Sequence, residues 1–278
     1  MANTTVTTAA LLKPEELSEA FLLPLAKESI AAQVSTVLHP GAGQVRLPVV
    51  SPSTASWTAE AAEINVSDLP VTEVNVEHHK LAQLVPLSNE LLDDSAYPIE
   101  QVLSDALVSA VANKIDAAYF SGLATAPAGV PSGLGTVAGV TAFTPTAFGI
   151  DSFVEAVIAI EAAGGRPQAI VMGADLASEL YRIKSSTGSN EYVLNHDSTS
   201  DYRRTILGIP VVVSDHVAAN TAWILDPSAS VLSIRKDVSV EMDSSALFSK
   251  DMTAFRVIAR VGTGFSRPAR IGKIEFNV

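Results

Sequence analysis

The sequence predicts an α+β fold, and three observations carry that reading. A strand pair with polar residues on both sides spans 44–80, an amphipathic helix runs from Pro98 to Phe120, and from Ser152 helices and strands alternate until strands take over after residue 230. With 278 residues, 47% of them hydrophobic and 17% charged, the chain has material for a substantial core.

The elements follow in order. From Lys13 to Leu38, the spacing of Leu17, Phe21 and Leu25 suggests a short helix that Pro14 opens and Pro24 interrupts, so this segment reads as a partly helical arm. Gln44 to Val50 is strand-like, and Ser51 to Ser56 is a Ser/Pro/Thr tip. Val71 to Lys80 sets Val74 and Val76 against Glu73, Asn75 and Glu77. A hairpin with two polar faces is marginal alone, so it is expected to lie on something else. The helix from Pro98 to Phe120 carries Ile99, Val102, Leu103, Ala106, Leu107, Ala110 and Val111 at helical spacing, with Gly122 beyond its end. Gly122 to Thr146, rich in Gly, Pro, Ala and Thr, reads as a loop and a domain boundary.

Ser152 and Glu155 form a capping-box pattern ahead of Phe153, Val157 and Ile160, and Gly164-Gly165 stop that helix. Ala169 to Met172 reads as a buried strand, followed by a helix with Leu176, Leu180 and Ile183 on one face. After a polar loop from Ser185 to Asp201 comes a second buried strand, Ile209 to Val213, which completes a compact α/β lobe. Val231 to Met242, Met252 to Phe265 and Ala269 to Val278 have strand character, with Phe255, Val257, Ala259 and Val261 alternating with Arg256 and Arg260.

Composition excludes several classes. The 18 basic residues against 30 acidic ones give a net charge of −12, which argues against a surface built to read nucleic acid. No cysteine is present, so disulfides, thiolate metal sites and cysteine nucleophiles are ruled out. No apolar run reaches the roughly 20 residues that span a bilayer, and Met1 to Ala10 lacks the basic start of a signal peptide.

The search for chemistry finds none. His78-His79, adjacent on a strand, point to opposite sides and do not suit one metal ion. Gly133-Leu-Gly135-Thr-Val-Ala-Gly139 has its third glycine one position late for a dinucleotide fingerprint and does not join a strand to a helix. The carboxylate pairs Asp93-Asp94 and Glu60/Glu63 flank helices or loops, where acidic residues are ordinary. No catalytic residue, metal site or cofactor is assigned. Trp57 stands apart: in a Ser/Thr/Ala-rich tip it either folds back on its own hairpin or anchors in a partner's pocket.

In this order the elements resemble the tailed-phage major capsid proteins of the Hong Kong 97 fold, from about Trp57 to the C-terminus. Trp57-Thr-Ala-Glu60-Ala-Ala-Glu63 is similar to the tip of that family's extended loop, and His79 to Leu92 is similar to the stretch returning from it. Pro98 to Phe120 resembles the spine helix, and Gly129 to Leu134 the loop after it. Leu207 to Asp215 resembles an axial-domain strand, and Arg267-Pro268 the closing strand of the peripheral domain. The resemblance implies an N-terminal arm (1–39), an extended β-hairpin loop (40–82), a peripheral domain with its spine helix (83–149), an α/β axial domain (150–230) and return strands of the peripheral domain (231–278).

It further implies hexamers and pentamers closing into an icosahedral shell around double-stranded DNA, a virion location after assembly in the bacterial cytoplasm, and separate portal and decoration proteins. Without a scaffold-like domain ahead of the arm, the subunit is expected to be either processed or served by a separate scaffolding protein. The self-crosslink of some members needs a loop lysine, and none lies between Arg46 and Lys80, so the crosslink is expected to be absent. An encapsulin-type nanocompartment shell is the near alternative, and a soluble α/β enzyme the distant one.

Charge is segregated along the chain. From Ser51 to Ala110 ten acidic residues face one basic residue, Lys80; from Lys250 onward six basic residues, among them Arg256, Arg260 and Arg267, accompany Asp251 and Glu275. Trp57, Glu60, Glu63, Arg256, Arg260 and Arg267 are therefore the candidate subunit-interface residues, with pairing inside one subunit or plain solvation as the alternative.

Overall fold

The computed structural model describes residues 28–41, 43–50, 55, 57–58, 60, 70–93, 99–145, 148–184 and 204–276. Along them run α1 (Ile30–Val34), β1 (Thr36–Leu38), β2 (Gln44–Val50), β3 (Val71–Glu77), β4 (His79–Ser88), α2 (Asn89–Asp93), α3 (Ile99–Tyr119) and β5 (Thr141–Phe143). They continue with α4 (Asp151–Ala162), β6 (Ala169–Met172), α5 (Ala174–Leu180), β7 (Thr205–Ile206), β8 (Ile209–Val213), β9 (Thr221–Leu225), β10 (Ser230–Leu247), β11 (Met252–Phe265) and β12 (Ile271–Glu275).

Two sheets and one long helix organise the chain. The first sheet has the order β1-β10-β11-β4, and the second β5-β12-β9-β6-β8-β7. At about 1.5 Å per residue α3 is roughly 30 Å long, and it buries Leu107, Val108, Val111, Ala112, Ile115 and Tyr119. This stripe meets the inner face of β11 (Phe255, Val257, Ala259, Val261) and one face of the second sheet (Ala169, Val171, Trp223, Leu225), so a single apolar cluster joins both sheets. The opposite face of the second sheet, with Ile170, Met172, Ala222, Ile224 and Ile274, packs on Phe153, Ala156 and Ile160 of α4 and Leu176 and Leu180 of α5. Strand alternation thus feeds two layers from one sheet.

The last turns of α3 also fix the start of the described chain. Asp116 is buried and accepts hydrogen bonds from the Ser29 hydroxyl (2.7 Å) and the Ile30 and Ala31 amides (both 2.9 Å). A carboxylate that accepts three donors satisfies the otherwise orphaned amides of α1 and offsets its own desolvation.

Several expectations change. Of the predicted arm, residues 1–27 lie outside the described residues; Ile30 to Leu38 forms α1 and then β1, which pairs in parallel with β10. Val102 is exposed, because the buried stripe of α3 starts further along the helix, where the two sheets flank it. The capping box fails: α4 begins at Asp151 after Ile150, with no side-chain cap, and Ser152 is buried within its first turn. β12, grouped from sequence with the return strands of 231–278, instead lies between β5 and β9 in the second sheet. β5 emerges from a segment read as loop, and β9, central to its sheet, was not foreseen. The polar loop from Ser185 to Asp201 and most of the hairpin tip from Ser51 to Ser56 lie outside the described residues.

Candidate assembly surfaces

The β2–β3 hairpin runs from Gln44 opposite Glu77 to Val50 opposite Val71. Its two faces are not both polar. Val45, Leu47, Val74 and Val76 share one face, and Val76 is fully buried where the hairpin root crosses β11. Two glycines make that crossing possible. A Cβ on Gly264 would stand 2.5 Å from a methyl of Val76, and one on Gly262 would overlap the Glu77 carbonyl oxygen. His78 closes the root: its Nδ1 donates to the Gly43 carbonyl (2.9 Å), and its Nε2 accepts from the Ser233 hydroxyl (2.8 Å). This histidine therefore pins the hairpin to β10. Among the described residues no group of three or more His, Cys, Asp or Glu is arranged to hold a metal ion.

Beyond the ladder, Trp57 is fully exposed and does not fold back on its hairpin. Glu60 is exposed as well, and Glu63 lies outside the described residues. Within the chain, no ion pair among the described residues joins Glu60 to Arg256, Arg260 or Arg267.

Arg256 and Arg260 share the outer face of β11, on which Ile258 lies between them. Their surroundings differ. Arg256 is bound to Glu241 across the β10 ladder; the guanidinium holds that carboxyl below the usual carboxylate range, and the carboxylate raises the guanidinium in turn. Arg260 is opposite Lys80 on β4 and Lys236 on β10, a row of three like charges on adjacent strands. Lys236 approaches Glu241 at 3.9 Å, whereas Lys80 and Arg260 have no ion-pair partner among the described residues. Arg267 is exposed past the end of β11, away from this row. The candidate cations therefore do not form one cluster.

Two features escaped the sequence reading. Lys80 and Lys236 extend the charge of Arg260, but their alignment depends on strand register. Phe248 is largely exposed at the turn between β10 and β11, where Asp251 adopts the left-handed conformation (φ 51°). That turn is braced from α2, since the Asn89 amide donates to Asp251 (2.6 Å) and its carbonyl accepts from the Thr253 hydroxyl (2.6 Å). A short Ser-Lys-Asp break between strand-like runs was its only mark in the sequence. The glycines at 133 and 135 pack against backbone at the end of α3, so close approach and not phosphate binding explains them.

No helix among the described residues is long and apolar enough to cross a membrane. A family model described as the phage capsid family matches residues 9–276. Among solved structures, one from Microbacterium phage Oxtober96 aligns with a TM-score of 0.76 at 20% identity, covering 100% of this chain and 96% of that one. The capsid of an empty GTA particle aligns with a TM-score of 0.74 at 21% identity, over 100% and 95% of the two chains. One from Mycobacterium phage Bobi gives 0.72 at 17% identity, over 90% and 91%. No curated protein matches the chain significantly.

Proposed function

The chain belongs to the phage capsid family and is a capsid shell protein, not an enzyme; from that premise we propose that it is the major capsid protein of a tailed phage with the Hong Kong 97 fold. In this reading its copies form hexamers and pentamers that close into an icosahedral shell around double-stranded DNA, assembled in the bacterial cytoplasm. The β2–β3 hairpin is the extended loop, α3 the spine helix, the four-stranded sheet the peripheral domain and the six-stranded sheet the axial domain. Separate scaffolding, portal and decoration proteins serve the shell. The packaged DNA meets it without sequence-specific contacts, as the net charge of −12 favours.

The hairpin is the observation that supports the reading most. Its root is buried and hydrogen-bonded, and beyond the ladder it presents a fully exposed Trp57, a residue type enriched where binding energy concentrates. A hairpin that is anchored at its root and carries an exposed Trp beyond its ladder is a device for meeting another copy.

Electron microscopy of the purified protein is the direct test. Large closed shells with a DNA-sized lumen are expected. Small shells around cargo enzymes would favour a nanocompartment, and a stable monomer under all assembly conditions would overturn the proposal.

A further inference from the structure

Between the first residues of β4, the last turns of α3 and the segment that follows the helix lies a cavity of about 330 Å³. Ile115 and Val261, both buried, form its inner side with the partly buried Leu81, and Ala118, Val130 and Pro131 continue the apolar wall. The segment that supplies Val130 and Pro131 is fastened on two sides. Thr263 of β11 donates a hydrogen bond to the Ser132 carbonyl, and the Gly135 amide donates to the Ser121 carbonyl (2.8 Å). Gly133 allows the close approach, since a Cβ there would overlap the Ala118 carbonyl oxygen. The cavity is therefore pre-formed within one chain.

Its charge has one sign. Among the described residues that line it none is acidic, while Lys114 and Lys80 are both present and exposed. Lys114 shares a helix face with Ala118 and Ser121, at i+4 and i+7. Lys80 lies on β4, the edge strand of its sheet, between the lining residues His79 and Leu81. Neither lysine has an ion-pair partner among the described residues. The carbonyls that close α3 do not cancel this charge at the wall, because those of Ala118 and Ser121 accept hydrogen bonds from the Ser121 and Gly135 amides.

We propose that this cavity is a binding site for a small amphipathic anion, a medium-chain carboxylate being the simplest, with its apolar body against Ile115, Val261 and Leu81 and its head beside Lys114 and Lys80. Cavities of about 300–1,000 Å³ with apolar walls and a few placed polar groups are the usual form of small-molecule sites. The apolar walls supply affinity in proportion to the area they cover, and the unneutralised lysines select the sign of the head group. The site belongs to a single chain and does not rest on the shell reading.

Octanoate and its neutral counterpart 1-octanol are the probes, titrated calorimetrically into the purified chain at low salt and below the concentration at which the acid forms micelles. Octanoate is expected to bind saturably, one per chain, and about fivefold more tightly than octanol, a margin that salt narrows. Lys80→Met combined with Lys114→Met is expected to erase that margin and leave octanol binding unchanged, which a merely structural role of the lysines does not predict. Ala118→Phe is expected to fill the cavity and abolish binding of both probes with unchanged circular dichroism; Val130→Phe, on the opposite wall, repeats the test where that variant does not fold. Absence of saturable octanoate binding, equal affinity for acid and alcohol in the wild type, or binding that survives a filled cavity would each overturn the proposal.

Discussion

Leu207 occupies backbone space that suits it poorly. With Gly208 it forms the two-residue connection between β7 and β8, at φ 53° and 78°, and its side chain is about half exposed. Such turns favour Asn-Gly, because a left-handed conformation costs an ordinary residue about 1–2 kcal/mol. Leu207→Asn is expected to stabilise the subunit by about 1 kcal/mol, read as a higher urea midpoint with unchanged slope. The two outer-face arginines separate equally sharply. Arg256 is engaged by Glu241 in its own chain, while Arg260 stands opposite Lys80 and Lys236 with no ion-pair partner among the described residues. Arg260→Glu is therefore expected to alter the assembly rate at low salt by several-fold more than Arg256→Glu, measured by light scattering. Equal effects would show that the in-chain ion pair does not occupy Arg256. Sequence alone identified both residues as candidates. It did not distinguish them, because their cross-strand neighbours depend on register and on bulges in the β10–β11 ladder near residues 234–239.

Among the elements, legibility followed periodicity. The long helix, the buried strands at Ala169–Met172 and Ile209–Val213 and the alternating strand ending at Phe265 each carry a regular apolar pattern, and each is present. β5, of three residues, is too short to show a period, and β9 lies inside a segment whose flanking turns gave no strand signal. The hairpin was visible, and so was the alternation of Val74 and Val76, but the surface that covers that side was not, since it is a pair of glycines on a strand nearly 200 residues away and glycine leaves no hydrophobic signature. Those glycines yield a prediction. Gly262→Ala places a methyl group against the Glu77 carbonyl, where backbone and not a flexible side chain must yield. A loss of about 1–3 kcal/mol is expected, together with faster amide exchange across β2 and β3. Unchanged exchange there would mean that the hairpin root does not depend on the close approach.

For the whole molecule, the family was readable because the order of elements and a few stretches resemble it; two of the solved structures align over nearly the full chain at about one residue in five. Lysine placement carries a further consequence. No lysine lies between Arg46 and Lys80, so the far part of the hairpin offers no amine for an isopeptide bond. Denatured particles are expected to run as single subunits on a gel, and a ladder of covalent oligomers would contradict this.

The position of β12 bears on timing. Residues 271–275 are made after every other described strand, yet they lie between β5 and β9, where they pair in parallel with one and antiparallel with the other. A nascent chain therefore holds its second sheet open until synthesis passes Glu275, and a product broken off earlier lacks the strand that seals β5 to the rest. A chain that ends before Ile271 is therefore expected to leave β5 without a partner strand.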